Sequence, residues 1–94
     1  MTDPHKLEVT FVKDDGEMTI RMTENDQDSI LRAAQTLKAH HVVFQAYRPT
    51  PRPIWAVFDL RKLVDGRLPQ AADKTFMTEK NDAAVMWAVH RGRS

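Results

Sequence analysis

Alternating apolar and polar positions near the start of the chain predict a β-hairpin. In KLEVTFVKDDGEMTIRM, residues 6–22, apolar side chains recur at every second position on both sides of Asp15-Gly16. This period of two is typical of strands with one buried face, and Asp-Gly is a favoured type I′ turn because both central positions need positive φ. A loop at these two residues pairs Phe11 with Ile20 and Val9 with Met22. One hairpin face then carries the apolar residues Leu7, Val9, Phe11, Met18, Ile20 and Met22.

A helical pattern follows the hairpin. Apolar positions recur at spacings of three and four residues, which is typical of a helix with one buried side. The stripe consists of Ile30, Ala33, Ala34 and Leu37, with His41 at its end. Thr23 and nearby acidic residues suit a helix N-terminus, where unpaired N–H groups favour oxygen and negative charge. The pattern predicts a helix over residues 24–40.

Two apolar segments, VVFQAYR (42–48) and IWAVFDL (54–60), predict strands on either side of a proline-rich connection. Direct pairing across a loop at 49–53 would place Tyr47 opposite Trp55 and Phe44 opposite Phe58. One face would then be wholly apolar, with Val42, Phe44, Ala46, Ala56, Phe58 and Leu60, and we expect it to be core. The opposite face is mixed, with Val43, Gln45, Tyr47, Trp55, Val57 and Asp59. Because three prolines make a short loop hard to close, direct pairing of 42–48 with 54–60 stays open.

The last third of the chain combines a turn and an ambiguous apolar run. Asp65-Gly66 predicts a turn with a short irregular or edge strand around it. The unbroken apolar run 83–89 fits a helix or a buried strand, which periodicity alone does not separate. Thr78-Glu79 before the run and Arg91-Gly92 after it favour a helix.

Together these elements predict an α+β fold, a two-layer sandwich in the order ββαββ(β)α. An antiparallel sheet of four or five strands would carry both helices on one face. We expect one domain over residues 1–94, because half of such a chain is too small to bury a stable core.

Composition narrows the classes of function. The absence of cysteine excludes disulfides, thiolate metal sites and cysteine nucleophiles. No apolar run approaches the roughly 18 residues that span a bilayer. The first residues alternate charged and apolar side chains, unlike a secretory signal, so we expect a cytoplasmic protein without a membrane partner.

Candidate residues for catalysis do not form a set. The adjacent rings of His40 and His41 would diverge on a helix or a strand, so we expect structural roles for both and no shared metal. Ser29 and Ser94 lie in no glycine-flanked elbow. The three glycines form no phosphate-binding loop. We therefore predict a non-enzymatic protein with no cofactor, no metal and no small-molecule substrate.

Charge is unevenly distributed along the chain. Residues 1–47 carry five basic and eight acidic side chains, a net −3, whereas residues 48–94 carry nine basic and five acidic, a net +4. The basic residues that follow the prolines or lie among them are Arg48, Arg52, Arg61, Lys62 and Arg67. Such asymmetry can steer charged partners toward one part of the molecule.

These observations favour a protein-binding module that uses the open, mixed sheet face and the Pro/Arg loop 48–53. The candidate contact residues are Val43, Tyr47, Arg48, Arg52, Trp55 and Val57. The partner would be another protein or a second copy, since Trp, Tyr and Arg are enriched at interface hot spots. One alternative is nucleic-acid binding, with Arg48, Arg52, Arg61, Lys62 and Arg67 on phosphates and Tyr47 and Trp55 as stacking surfaces. Another is that the C-terminal segment folds over this face and buries it.

Overall fold

Five antiparallel strands and two helices make up the fold. The computed structural model describes residues 6–23, 27–46 and 53–92. The elements are β1 (Lys6–Lys13), β2 (Gly16–Thr23), α1 (Gln27–Leu37), β3 (His41–Ala46), β4 (Ile54–Asp59), β5 (Lys74–Met77) and α2 (Asp82–Gly92). The α+β class, the antiparallel sheet and the order ββαββ(β)α are as predicted from the sequence. Neither described helix is long and apolar enough to cross a membrane.

The strands form one sheet in the order β2-β1-β3-β4-β5. β3 and β4 do pair directly, with Gln45 opposite Trp55 and Phe44 opposite Ala56. This register differs by two residues from the predicted one; β3 ends at Ala46 and β4 begins at Ile54, and the predicted loop residues 49–52 lie outside the described part of the chain. Phe44 and Phe58 are diagonal neighbours, and their rings stack with centroids 5.3 Å apart.

The first hairpin also differs from its predicted register by two residues. Its loop is Asp14-Asp15, and Val9 pairs with Ile20 while Phe11 pairs with Met18. Gly16 has a φ of 144°, and neither aspartate has a positive φ, so the predicted type I′ turn at Asp15-Gly16 is wrong. Gly16, the residue just after the loop, therefore adopts a backbone conformation that residues with a side chain disfavour. A shift of two residues keeps every side chain on its predicted face.

The helix α1 covers one face of the sheet. Ile30 and Ala34 are buried in a core with Val9, Phe11, Val42, Ala56 and Phe58. The helix ends at Leu37, so the predicted extension to residue 40 is wrong. Lys38 adopts a left-handed φ of 57°. The Ala39 N–H donates to the Ala34 carbonyl (3.0 Å) and the Lys38 N–H to the Gln35 carbonyl (3.2 Å), which is the Schellman pattern that ends a helix.

The helix α2 covers the opposite face. Its residues Ala84, Val85 and Ala88 pack in a second core with Val12, Val43, Trp55 and Val57. The run 83–89 is therefore helical, as favoured from the sequence, but the two helices do not share one face. The sequence left open that the C-terminal segment folds over the mixed face and buries it, and the structure has this arrangement. Small alanine side chains let the helix approach the sheet closely, and burial removes a large apolar area from water.

The connection between β4 and β5 packs at the side of the first core. Asp65 and Gly66 both have positive φ, at 54° and 76°, which confirms the predicted turn. A single bridge joins Val64 to Arg67 across it. Leu68 and Ala72 pack against the core beneath α1. Beyond this connection, Asp73 leads directly into β5.

Candidate functional site

The sheet face predicted to bind a partner is part of the hydrophobic core. Val43 and Val57 have no exposed surface, and Trp55 is 8% exposed. The Trp55 indole N–H donates to the Thr78 carbonyl at 3.1 Å, so its polar group is also satisfied. The prediction of an open sheet face is therefore wrong, because α2 covers it. Tyr47, Arg48 and Arg52 lie outside the described residues.

A polar pocket of about 310 Å³ lies where the ends of several elements meet. Its lining comes from the first residue of β3, the last residue of β4, the two ends of the β4–β5 connection and the last turns of α2. Its lining residues are His41, Asp59, Arg61, Lys62, Asp73, Trp87 and Arg91. Of the predicted basic cluster, Arg61 and Lys62 belong to this pocket and Arg67 does not.

His41 and Asp59 form the buried part of the pocket. They are direct partners across β3 and β4, and they are 1% and 6% exposed. His41 Nε2 lies 3.8 Å from Asp59 Oδ2. His41 Nδ1 lies 2.7 Å from Nδ1 of His40, in the connection before β3. Burial lowers the pKa of His41 although Asp59 acts in the opposite direction, so His41 is neutral at neutral pH.

Asp59 is held by Arg61. The Arg61 backbone N–H and Nε–H donate to Asp59 Oδ1 at 2.9 and 3.0 Å, and Nη2 donates to Oδ2 at 3.1 Å. Burial alone would raise the pKa of Asp59, but these hydrogen bonds and the neighbouring positive charge outweigh it and hold that pKa below its usual value. The Asp59 N–H in turn donates to Asp73 Oδ2 at 2.6 Å. Asp59 is therefore an ionised, fully partnered carboxylate.

The remaining charges leave one cation without an acidic partner. Lys62 Nζ lies 3.8 Å from Asp73 Oδ1, and Arg61 is paired with Asp59. The Arg91 guanidinium lies over the Trp87 ring, 4.9 Å from its centroid. No acidic side chain in the ranges 6–23, 27–46 and 53–92 forms an ion pair with it. With His41 neutral, three cations and two carboxylates give the pocket lining a net charge of +1.

This arrangement is better suited to holding an anion than to moving protons. Nδ1 of His41 is taken by His40 and Nε2 faces Asp59, so neither ring nitrogen is directed at a ligand. The guanidinium of Arg91 is planar and lies over the Trp87 ring, and a planar guanidinium can bind a carboxylate or phosphate through two N–H groups at once. The described residues contain no group of His, Asp and Glu side chains able to hold a metal ion.

Sequence reasoning missed the residues at the centre of this pocket. His41 was predicted to close the stripe of α1, but it is the first residue of β3. The sequence did contain one signal: a polar residue, His41 or Asp59, lies at one end of each of two apolar strands. Antiparallel pairing brings these two ends together. Trp87 and Arg91 are four residues apart, the spacing at which helical side chains meet.

No protein-family model matches the sequence, and no curated protein and no solved structure is significantly similar to it. The function proposed below therefore rests on the geometry of the pocket.

Proposed function

We propose that this protein is a small, non-enzymatic protein-binding module whose pocket receives an acidic side chain of a partner. An adaptor, an inhibitor or a self-associating accessory protein would each fit this description. The observation that supports the proposal is the Arg91 guanidinium, which lies over the Trp87 ring in the pocket lining and has no acidic partner among the described residues.

Stacking prepares Arg91 for binding. An aromatic ring beneath the guanidinium restricts its orientation, so less conformational entropy is lost when a carboxylate binds in the plane. A cation in the last turn of α2 also interacts favourably with the helix dipole. The interaction of Arg91 with the helix dipole would exist without Trp87 and without a pocket. It therefore does not explain why Arg91 lies over Trp87 in the pocket.

Lys62 provides a second cation for the bound group. Its side chain is 68% exposed, and its 3.8 Å contact with Asp73 is a surface ion pair of small net energy. The Lys62 ammonium can therefore turn toward a bound carboxylate at little cost. Arg61, by contrast, is committed to Asp59 through three hydrogen bonds and shapes the pocket wall.

The same features make nucleic-acid binding the weaker candidate. Trp55, the predicted stacking surface, is buried beneath α2. The net charge of the chain is only +1, below the basic footprint typical of dedicated nucleic-acid binders.

The proposal is tested by fluorescence anisotropy with a labelled hexaglutamate peptide, compared with a hexalysine peptide. We expect Arg91→Ala to weaken hexaglutamate binding by about tenfold, the typical loss for one charge-assisted hydrogen-bonded pair. Arg32→Ala is the matched control, because Arg32 is exposed on α1, which packs on the other face of the sheet. This control should change the affinity by less than about twofold.

Two results would contradict the proposal. One is hexaglutamate binding no tighter than hexalysine binding. The other is an equal loss of affinity in Arg91→Ala and Arg32→Ala, which would indicate attraction by overall charge and not by the pocket. Tight binding of single-stranded DNA that is lost in Arg91→Ala would instead support the nucleic-acid alternative.

A further inference from the structure

We propose that β2 is an interface through which two copies of this chain associate edge to edge, around a two-fold axis at Thr19. Among the described residues the strands run in the order β2-β1-β3-β4-β5, so β2 lies at one edge of the sheet. Association there would join the five strands of each copy into one continuous antiparallel sheet. None of the residues that line the polar pocket belongs to β2, so the dimer does not depend on the function proposed above.

The strand β2 is a long edge strand with an uninterrupted ladder. It has eight residues, and all of them pair with β1 in unbroken register, without a bulge or a proline. Short strands, bulges and prolines are common ways to keep the unpaired N–H and C=O groups of an edge from pairing with another chain. At the opposite edge, β5 is only four residues long, and Lys74 Nζ lies over the Phe76 ring. The sheet is therefore less open to pairing at β5 than at β2.

The ladder of the first hairpin determines which backbone groups of β2 point outward. A two-residue loop is closed by a hydrogen-bonded pair, here Lys13 with Gly16. Along an antiparallel ladder, hydrogen-bonded pairs alternate with non-hydrogen-bonded pairs. Met18 and Ile20 therefore exchange hydrogen bonds with β1. The residues whose N–H and C=O groups point away from β1 are Glu17, Thr19 and Arg21.

A two-fold axis at Thr19 uses all of these outward groups. Thr19 then lies opposite Thr19 of the second copy, and Glu17 lies opposite Arg21 of the second copy on both sides of the axis. Each of these pairs exchanges two backbone hydrogen bonds, as in any antiparallel ladder. The outward N–H and C=O groups of the edge strand are thereby satisfied by the same groups of its copy.

The charges of β2 are self-complementary in this register. Glu17 and Arg21 are both exposed, and opposite charges that lie directly across a strand pair stabilise it. Charged side chains often protect an edge, but their order along β2 favours one particular pairing. An axis at Arg21 or at Glu17 would place like charges opposite each other. An axis at Ile20 would place neither charge opposite its complement, so the charges select the axis at Thr19.

Arg21 is available for this pairing. Its Nη2 lies 3.6 Å from Glu8 Oε2, and the two side chains are 72% and 51% exposed, so this contact is a surface ion pair of small net energy. A guanidinium has several N–H donors and can contact more than one carboxylate. In the dimer Arg21 would lie between Glu8 of its own copy and Glu17 of the second copy.

The uncharged side chains of β2 also match their own copies. Thr19 Oγ1 lies 2.9 Å from Thr10 Oγ1, and the axis continues this pair into a row of threonines across both copies. Threonines opposite one another on neighbouring strands are favourable pairs. On the other face, Met18 is 44% exposed and would lie opposite Ile20 of the second copy. This is a non-hydrogen-bonded pair, in which side chains approach most closely, so apolar surface is removed from water.

The dimer is tested by sedimentation velocity at micromolar to millimolar concentrations. We expect the native chain to dimerise as its concentration rises. Glu17→Arg would place arginines opposite each other and Arg21→Glu would place glutamates opposite each other, so each variant should self-associate at least about tenfold more weakly. An equimolar mixture of the two variants has opposite charges at every one of these pairs, and it should form a heterodimer with close to native affinity.

The matched controls are Glu79→Arg and Lys80→Glu. They make the same changes of charge at exposed positions between β5 and α2, at the opposite edge of the sheet, and both should dimerise like the native chain. Three results would overturn the proposal: a native chain that stays monomeric at millimolar concentration, a native dimer that persists in Glu17→Arg, or a mixture of the two β2 variants that stays monomeric.

Amide hydrogen exchange of the native chain tests the same interface without a substitution. When the concentration is raised until the dimer forms, the outward N–H groups of Glu17, Thr19 and Arg21 should exchange at least about tenfold more slowly. The N–H groups of Met18 and Ile20, which bond to β1 in both states, should change much less. Equal slowing of both sets, or no slowing of the outward set, would overturn β2 as the interface.

Discussion

Gly92 lies against the ring of His40 with no room for a side chain between them: a Cβ atom at residue 92 would overlap the imidazole. The sequence indicated this glycine as a helix C-terminal signal, but Gly92 is still within α2 and does not have a positive φ. Close approach, and not backbone freedom, is therefore what requires glycine here. The contact also fixes one side of the His40 ring, whose Nδ1 lies 2.7 Å from Nδ1 of His41.

Replacing Gly92 with alanine should destabilise the fold by about 1–3 kcal/mol, the usual cost of adding a methyl group to a filled space. His40 is held by its contact with His41, so its ring moves aside only by breaking that contact. The free energy of unfolding from urea denaturation measures the effect. In a His40→Ala background the same substitution should cost much less, and an equal cost in both backgrounds would contradict the steric explanation.

Trp55 should behave as a core residue. Because it is 8% exposed beneath α2, Trp55→Ala should cost about 3–5 kcal/mol in unfolding free energy. Trp55→Phe keeps most of the apolar contact but leaves the Thr78 carbonyl without its donor, at a cost of about 1–2 kcal/mol. Urea denaturation measures both. A fully stable Trp55→Ala would show that the indole is a surface group, contrary to its burial.

Lys38 should be replaceable by glycine with a gain in stability. Its φ of 57° is unfavourable for a residue with a Cβ atom, and glycine is the usual residue at this position of a Schellman motif. We expect Lys38→Gly to raise the free energy of unfolding by about 0.5–1 kcal/mol, after allowing for the greater freedom of glycine in the unfolded chain.

The matched control for this substitution is Arg32→Gly, at an exposed position inside α1. There glycine lowers helix propensity without relieving any strain, and the unfolding free energy should fall by roughly 0.5–1 kcal/mol. A loss of stability of similar size in both variants would contradict the assignment of a strained left-handed conformation to Lys38.

The buried pair His41–Asp59 should make the fold sensitive to acid. The pKa of His41 is lowered from its usual 6.5, so the neutral ring stabilises the fold fully above that pH. As the pH falls below 6.5, the unfolded chain binds the proton first and this contribution is lost. The pKa of Asp59 is lowered from 3.8, so its contribution is present above that value and is lost in stronger acid.

Urea denaturation at about pH 7, 6 and 5 measures the effect of His41. We expect the free energy of unfolding to decrease toward lower pH. Adding His41→Asn should flatten this decrease. A rise in stability toward lower pH that is lost in His41→Asn would show that His41 is stabilised in its charged form.

Local patterns in the sequence determined the elements and the faces of the strands. Alternation assigned Val42 and Val43 to opposite sides of the sheet, and that assignment holds despite the register error. A shift of two residues preserves the face of every side chain, so periodicity is insensitive to it. For the same reason periodicity left the register open, and the prediction erred by two residues in both hairpins.

Only the tertiary structure decided which face α2 covers, and with it the position of the candidate site. The composition of the apolar run 83–89 would allow α2 to pack on either face of the sheet. In the folded chain α2 packs against Val43 and Val57, on the face opposite α1. The pocket depends on pairing between residues far apart in the chain, such as His41 with Asp59. Local propensity carries no information about such pairs, because their proximity follows from strand register and helix placement in the folded chain.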